Sequence, residues 1–259
     1  GYTLSGLTAK IALMVINFNF DTVPLWYLYM LVGLYLLMPV INAWLTAATR
    51  RELDAVLAVW GFTLLIPYIK LMAPHVGYTG NFGSMEILGA CDWNAYGTFY
   101  YFSGFTGYLV LACRLKRFPL EWSMKRTLSI GLPMFAAGYA LTFGGFVELQ
   151  NRFPGDYAYL EVIWYFTGLN VFMMTFPIIA CASAMRGFKS SPLLRRLADL
   201  TFGIYLCHFF FVYLFYDIYN HPSLAPAVRI VLMALSTFAV SALVAWGMRS
   251  SALTRRLVA

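Results

Sequence analysis

Seven long apolar runs separated by short polar loops constrain the fold of this chain more than any other feature. The runs cover residues 25–45, 55–72, 96–113, 127–146, 162–185, 200–219 and 227–248. The hydrocarbon core of a bilayer is about 30 Å thick and takes about 20 helical residues to cross. Because lipid offers no hydrogen bonds to the backbone, an apolar run of this length crosses it as a helix. The pattern therefore predicts an all-α, polytopic transmembrane bundle of about seven spans.

The composition argues against a soluble protein. Of the 259 residues, 61% are hydrophobic and 11% are charged, and the mean hydropathy is +0.71. A soluble domain carries about 25% charged residues and cannot hide so large an apolar fraction from water. The same composition excludes disordered, collagen-like and disulfide-scaffold chains. No linker and no internal repeat divides the sequence, so we predict a single membrane domain over residues 1–259.

The basic residues are distributed unequally between the two sides of the predicted bundle. The chain has 18 Lys and Arg against 11 Asp and Glu, a net charge of +7. Fourteen of the basic residues fall on one side and four on the other. Because short cytoplasmic loops carry an excess of Lys and Arg, the first side is predicted to be cytoplasmic and to include the C-terminus. This placement favours membrane lipid as a partner and argues against nucleic acid.

The predicted orientation places Gly1 on the outer side, with neither an initiator methionine nor a signal peptide before the first span. A chain that begins in the cytoplasm must cross the membrane an odd number of times to reach that side. We therefore expect the natural N-terminus to lie upstream of Gly1, after an odd number of further spans.

The four cysteines show neither the spacing of a metal site nor that of a redox pair. They are Cys91, Cys113, Cys181 and Cys207. Only Cys91 falls in a predicted outer loop, so no intrachain disulfide is expected. We predict that the protein binds no metal cofactor.

The clearest candidate for chemistry is His208, eight residues into the sixth predicted span. Ionisable residues deep in a span are costly and are therefore functional candidates. Tyr205 lies on the same helix face, one turn before it. We predict that both are catalytic, with neutral His208 accepting a proton and Tyr205 donating to a developing oxyanion. The alternative is that His208 bonds a neighbouring helix.

A second group of residues near the outer ends of the spans is predicted to bind substrate. The group consists of Trp26, Tyr27, Glu161, Trp164 and Asn170. A carboxylate such as Glu161 could hold a sugar hydroxyl, or it could stabilise the start of its helix. Asn170 could equally form a helix–helix hydrogen bond. The aromatic residues also fit an interfacial belt.

The predicted cytoplasmic loop over residues 114–126 carries five basic residues and one acid. It could contact the phosphates of a coenzyme. It could also serve only as the topology signal, or bind anionic lipid. The sequence has no glycine-rich phosphate loop and no hydrolase motif.

Three stretches carry a resemblance to a known family. Residues 25–40 read LWYLYMLVGLYLLMPV, residues 101–105 read YFSGF and residues 200–208 read LTFGIYLCH. Their content, order and separation resemble motifs of the bacterial acyltransferase-3 family of integral membrane proteins. The subgroup that acetylates cell-surface polysaccharide and enterobacterial common antigen is the most similar in character.

The resemblance implies a membrane-bound O-acyltransferase of the bacterial cytoplasmic (inner) membrane. Such an enzyme transfers an acyl group, commonly acetyl from acetyl-CoA, to a hydroxyl of a cell-surface or lipid-linked glycan. The family has about ten spans and a cytoplasmic start. Three spans upstream of Gly1 would reconcile that number with the seven predicted here.

The sequence departs from the family at one signature. The family has an arginine, ten further residues and then a histidine on its first span. The positions eleven residues before His75, His208 and His221 hold leucine, leucine and phenylalanine. The resemblance therefore implies that the histidine credited with catalysis lies upstream of Gly1, with His208 in a supporting role.

Two other functions fit parts of the pattern. A transporter or flippase for a lipid-linked glycan would also have polar stripes, aromatic outer mouths and kinked spans. The near absence of charge at mid-membrane and of paired repeats with broken helices argues against it. A non-catalytic scaffold is the third alternative.

Overall fold

The computed structural model describes residues 26–69, 99–185 and 191–251, together with the single residues 6, 8 and 254. Within these residues every regular element is a helix, which confirms the predicted all-α class. The elements are α1 Trp26–Ala47, α2 Arg50–Thr63, α3 Ile66–Ile69, a 3-10 turn Tyr100–Phe102, α4 Thr106–Arg117, α5 Met124–Arg152, α6 Tyr157–Trp164, α7 Leu169–Ala184, α8 Pro192–Tyr219 and α9 Pro226–Ser250.

Five segments of the described residues are long and apolar enough to cross a membrane. They are Trp26–Ala47, Met124–Arg152, Tyr159–Ala184, Pro192–Tyr219 and Pro226–Ser250. Each coincides with one of the predicted spans, and together they confirm a polytopic transmembrane protein. The third segment covers α6 and α7, between which residues 165–168 leave the helix.

The second and third predicted spans contain shorter helices. Helix α2 has 14 residues and α4 has 12, which correspond to about 21 and 18 Å at 1.5 Å per residue. Helix α2 starts before the apolar run, because Thr49 and Glu52 form a capping box at its N-terminus. It ends at Thr63, four residues before Pro67. Residues 70–98 lie outside the described ranges.

Contacts group the chain into two compact units. The first unit contains residues 1–32 and 188–259, and the second contains residues 33–187. In the first unit α8 and α9 form an antiparallel pair joined by the turn at residues 220–225. The prediction of a single domain stays a prediction.

Small residues bring α8 and α9 close together. Gly203, Ser241 and Ala245 are all buried along the pair. The Cys207 thiol lies 3.7 Å from the Ser241 carbonyl oxygen. Close approach of this kind is typical of helix pairs in membranes, where packing rather than water exclusion drives association. The opposite faces carry exposed apolar side chains such as Phe210, as expected for contact with lipid.

In the second unit a tryptophan joins α2 to α4. The Trp60 ring lies on Gly107, and a Cβ atom at that position would come within 2.1 Å of the ring. The Trp60 indole N–H donates to the Gly104 carbonyl oxygen at 3.0 Å. Gly104 has a φ of 79°, a conformation that favours glycine. This contact fixes the start of α4.

Helix α5 packs on α6 and α7 through a glycine face. Gly131, Gly138 and Gly145 recur every seven residues and therefore share one side of the helix. A Cβ atom at Gly131 would meet Pro177 at 3.1 Å, and one at Gly145 would meet Ile163 at 2.6 Å. At Gly138 it would lie 2.7 Å from the Asn170 carbonyl oxygen. The absence of side chains at these positions sets the distance between the helices.

Candidate active site

His208 lies in the middle part of α8, and one of its ring nitrogens is held by the helix. Its Nδ1 atom is 2.6 Å from the Tyr205 carbonyl oxygen. Because a carbonyl can only accept, Nδ1 carries the proton and donates. In the neutral imidazole Nε2 is then the acceptor nitrogen. The side chain is therefore oriented to accept a proton through Nε2.

The Tyr205 ring lies between His208 and α1. Its centroid is 5.6 Å from that of His208 and 5.3 Å from that of Tyr27, with the two tyrosines in an edge-on arrangement. The phenol hydrogen-bonds to the backbone of Tyr27 and Leu28 in the first described turn of α1. The structure thus brings together Tyr27, Tyr205 and His208.

Two cavities of the first unit flank this group of residues. One has a volume of about 390 Å³ and is lined by Trp26, Tyr27, Leu31, Thr201, Phe202 and Tyr205. The other has a volume of about 430 Å³ and lies between α8 and α9. It is lined by Ile204, His208, Val212, Ile230, Met233, Ala234, Thr237 and Phe238. His208 and Thr237 are the residues of this lining with polar side chains.

A third cavity lies where α8 begins and α9 ends. It has a volume of about 340 Å³ and is lined by Arg196, Asp199, Leu200, Trp246, Arg249 and Ser250. Arg249 donates to the Asp199 carbonyl oxygen at 2.7 Å and lies 3.4 Å from its carboxylate. This space is therefore surrounded by an indole and two guanidinium groups. The Asp199 carboxylate partly neutralises the charge of Arg249.

The remaining predicted substrate residues lie in the second unit. Glu161 and Trp164 are one turn apart on α6, and Trp164 is exposed. Asn170 is fully buried at the start of α7. Its side-chain amide donates to Thr142 Oγ1 at 2.8 Å and to the Ile163 carbonyl at 2.7 Å.

The side-chain oxygen of Asn170, Oδ1, also has a partner. The Tyr68 hydroxyl donates to it at 2.7 Å. These contacts tie α3, α5, α6 and α7 together at one residue. They favour the alternative in which Asn170 is a helix–helix hydrogen-bonding residue, and its role in substrate binding stays a prediction.

The basic segment 114–126 is partly engaged in protein contacts. The buried Arg114 pairs with Asp54 at 2.8 Å and donates to the Phe118 carbonyl at 2.6 Å. Arg117 donates to the Leu45 carbonyl oxygen. The Arg114 guanidinium beside Asp54 lowers the pKa of that carboxyl below its ordinary value. These arginines therefore hold α1, α2 and α4 together at this end of the second unit.

Thr237 is a site residue that the sequence analysis missed. It lines the cavity beside His208, is buried, and its hydroxyl has no hydrogen-bond partner among the described residues. The available signal was the pair Thr237 and Ser241, two hydroxyls one turn apart in a run that is apolar apart from these two, Ser236 and Arg229. That spacing indicates an inward face but not the helix it meets.

The described residues include three of the four cysteines, so they test only part of the predictions about disulfides and metal sites. Cys113, Cys181 and Cys207 have free thiols, and Cys91 lies outside the described residues. Within the described ranges no group of three His, Cys, Asp or Glu side chains could hold a metal ion. The absence of a metal cofactor stays a prediction.

Comparison with known proteins identifies the family. The family model described as Acyltransferase domain matches residues 2–246, which is almost the whole chain. No significant match to a curated protein or to a solved structure was found. The match extends over α1 to α9 and includes Tyr27, Tyr205 and His208. The chain is therefore an integral membrane protein that belongs to the acyltransferase-3 family.

Proposed function

We propose that the protein transfers an acetyl group from acetyl-CoA to a hydroxyl of a cell-surface or lipid-linked glycan, in the bacterial cytoplasmic membrane. The observation that carries this proposal is the oriented His208 imidazole, which lines a cavity in the middle part of a membrane-crossing helix. The family supplies acyl transfer in general. An imidazole with one nitrogen held by a carbonyl is suited to accept the proton of a hydroxyl nucleophile. In giving His208 this role the proposal departs from the family resemblance, which implied a catalytic histidine upstream of Gly1 and a supporting role for His208.

The proposed step balances without a further reactant. The acceptor hydroxyl oxygen attacks the thioester carbonyl carbon, and its proton passes to His208 Nε2. The C–S bond then breaks, and the thiolate takes that proton from the imidazolium. The products are the O-acyl ester and the free thiol of CoA, and His208 returns to its neutral form.

The donor is proposed to enter from the end of α8 and α9 where Arg196 and Arg249 lie. Guanidinium groups recognise phosphate, and the Trp246 ring offers a face on which an adenine could stack. Arg196 and His208 are twelve residues apart on one helix, about 18 Å along its axis. An extended pantetheine arm is long enough to connect phosphates at one position with a thioester at the other.

The acceptor is proposed to occupy the cavity lined by Trp26, Tyr27 and Tyr205. Flat aromatic faces pack against the apolar faces of sugar rings, and the Thr201 hydroxyl can bond to a sugar hydroxyl. The catalytic role predicted for Tyr205, donation to the oxyanion, stays a prediction. Glu161 and Trp164 on α6 remain proposed acceptor residues.

The test uses membranes that contain the full-length protein, incubated with acetyl-CoA labelled in the acetyl group. We expect label in the glycan fraction that mild base releases as acetate, the behaviour of an O-ester. Glycan that crosses the membrane without acquiring label would support a flippase instead. Label in an amide, stable to mild base, would contradict transfer to a hydroxyl.

A further inference from the structure

Thr237 differs from other threonines in the helices of this protein. Thr142, Thr175 and Thr201 each donate to a carbonyl oxygen of their own helix, at 2.9, 2.8 and 2.7 Å. Thr237 is 6% exposed, and its Oγ1 atom has no hydrogen-bond partner among the described residues. A buried hydroxyl without a partner costs about 1–3 kcal/mol. A ligand that accepts a hydrogen bond at this position would remove that cost.

The surroundings of Thr237 restrict what such a ligand can be. The cavity walls contributed by Ile204, Val212 and Met233 are apolar, and only His208 adds a second polar side chain. A ligand that fits these walls is apolar over most of its surface and carries one polar group that accepts a hydrogen bond. An acyl group with its carbonyl oxygen has this chemistry.

We propose that the cavity between α8 and α9 holds the acyl group of the donor, with the Thr237 hydroxyl donating to the thioester carbonyl oxygen. The inference rests on the proposed acyl transfer and adds the position of the acyl group. When the acceptor oxygen attacks, the carbonyl oxygen gains negative charge, and a hydroxyl that donates to it stabilises that charge. Rotation about χ1 allows the Thr237 hydroxyl to face the carbonyl.

The size of the cavity adds a consequence for acyl specificity. Its volume is about 430 Å³, which is room for many water-sized groups, whereas an acetyl group has only three heavy atoms. Space remains beside Ala234 and Phe238 for several methylene groups. The enzyme should therefore accept butyryl and hexanoyl groups as well as acetyl.

The first test removes the hydroxyl and keeps the shape, with Thr237→Val in the full-length protein. We expect kcat for acetyl transfer to fall about ten- to a hundredfold, with a much smaller change in KM for acetyl-CoA. Thr237→Ser restores a hydroxyl and should recover most of the rate. The matched control is Ser241→Ala, which removes a second buried hydroxyl one turn along α9 that does not line the cavity.

The second test fills the cavity with Ala234→Leu and measures transfer from acetyl-, butyryl- and hexanoyl-CoA. The longer groups should lose rate in order of length, each by a larger factor than acetyl does. Ala239→Leu adds the same volume at an exposed position of α9 outside the cavity and should leave the length profile unchanged.

The outcomes separate this inference from the proposed function. A wild-type protein that transfers no acyl group would contradict the proposed function itself. If the wild type transfers acetyl but Thr237→Val, Thr237→Ser and Ser241→Ala all behave alike, the hydroxyl does not contact the acyl group. An unchanged length profile in Ala234→Leu would show that lipid or another helix covers the cavity, and would overturn the inference.

Discussion

At the scale of single residues, two buried polar side chains differ in their hydrogen bonding. Asn170 has protein partners for both its amide and its carbonyl group. Thr237 has none for its hydroxyl among the described residues. Buried polar groups are paired as a rule, so the satisfied residue is expected to stabilise the fold and the unsatisfied one to meet a ligand.

Replacing Asn170 tests whether this hydrogen-bonded side chain stabilises the fold. Asn170→Leu leaves the Ile163 carbonyl without its side-chain donor and the Tyr68 hydroxyl without its acceptor, and we expect it to destabilise the protein by about 2 kcal/mol or more. Asn151→Leu, at an exposed position of α5, is the control and should have little effect. Thermal unfolding in detergent measures both. A raised KM for the acceptor with unchanged stability would instead support substrate binding by Asn170.

The pair of Asp54 and Arg114 makes a prediction about pH. The lowered pKa of Asp54, caused first by its hydrogen bond to Arg114, means that the charged carboxylate stabilises the folded state. That contribution is present above the unfolded pKa of about 4, and it is lost as the pH falls through the lower folded pKa. Asp54→Asn should therefore unfold at a lower temperature than the wild type near neutral pH, and the difference should shrink in acid.

The control for this pair is the exposed pair of Glu148 and Arg152. These side chains lie 2.5 Å apart but are 55% and 69% exposed, whereas the Arg114 side chain is 9% exposed. Exposed pairs contribute at most about 1 kcal/mol. Glu148→Gln should change the unfolding temperature less than Asp54→Asn does. Equal effects at neutral pH would contradict a special role for the buried arginine.

At the scale of helices, the long elements could be predicted from the sequence because hydropathy alone determines them. Helices α1, α5, α8 and α9 coincide with predicted spans to within eight residues at each end. The serine caps of α5 and α8 explain their early starts, since Ser123 and Ser191 each accept from the backbone and begin the helix before the apolar run. Hydropathy does not register such caps.

The break between α6 and α7 depends on tertiary contacts and could not be predicted in the same way. The Leu169 amide donates to the Leu64 carbonyl oxygen at 3.1 Å, across more than a hundred residues of sequence. Asn170 has partners from α3 and α5. Hydropathy reports the apolar run and carries no information on these partners.

The glycine face of α5 makes a prediction at this scale. A Cβ atom at Gly138 would lie 2.7 Å from the Asn170 carbonyl oxygen and 2.9 Å from Met173 Cβ, so Gly138→Ala forces α5 and α7 apart. We expect a loss of about 1–3 kcal/mol of stability, as for other overpacked positions. Gly144→Ala, on the same helix with nothing within 4 Å, should be neutral or slightly stabilising.

The unfolding temperatures of the two variants, measured in detergent, test this predicted difference in stability. A Gly138→Ala protein as stable as Gly144→Ala would show that α5 and α7 do not pack through this face.

At the scale of the whole molecule, the predicted orientation can be tested on described loops. In a cysteine-free background, Ser223→Cys lies in the turn between α8 and α9, and Lys125→Cys lies at the exposed start of α5. The excess of Lys and Arg predicts that the second position lies in the cytoplasm. A membrane-impermeant maleimide applied to intact cells should label Ser223→Cys and leave Lys125→Cys unlabelled. The reverse pattern would invert the orientation.

The candidate site could be predicted from the sequence only in part. The motifs of residues 25–40 and 200–208 gave the family, and the depth of His208 in its span marked it as a candidate. The edge-on contact of Tyr27 with Tyr205 and the cavity beside Thr237 join helices far apart in the sequence. A helix face gives the direction of a side chain but not the neighbour that it meets.

The most direct test of the proposed chemistry compares acetyl transfer by two histidine variants of the full-length protein. His208→Gln keeps a polar side chain in α8 but removes the proton acceptor, whereas His221→Gln changes an exposed histidine in the turn after α8. We expect His208→Gln to lower kcat by about 10² to 10⁴ at unchanged membrane insertion, and His221→Gln to retain the wild-type rate. A His208→Gln protein that turns over like the wild type would contradict the assignment of His208 as the catalytic base.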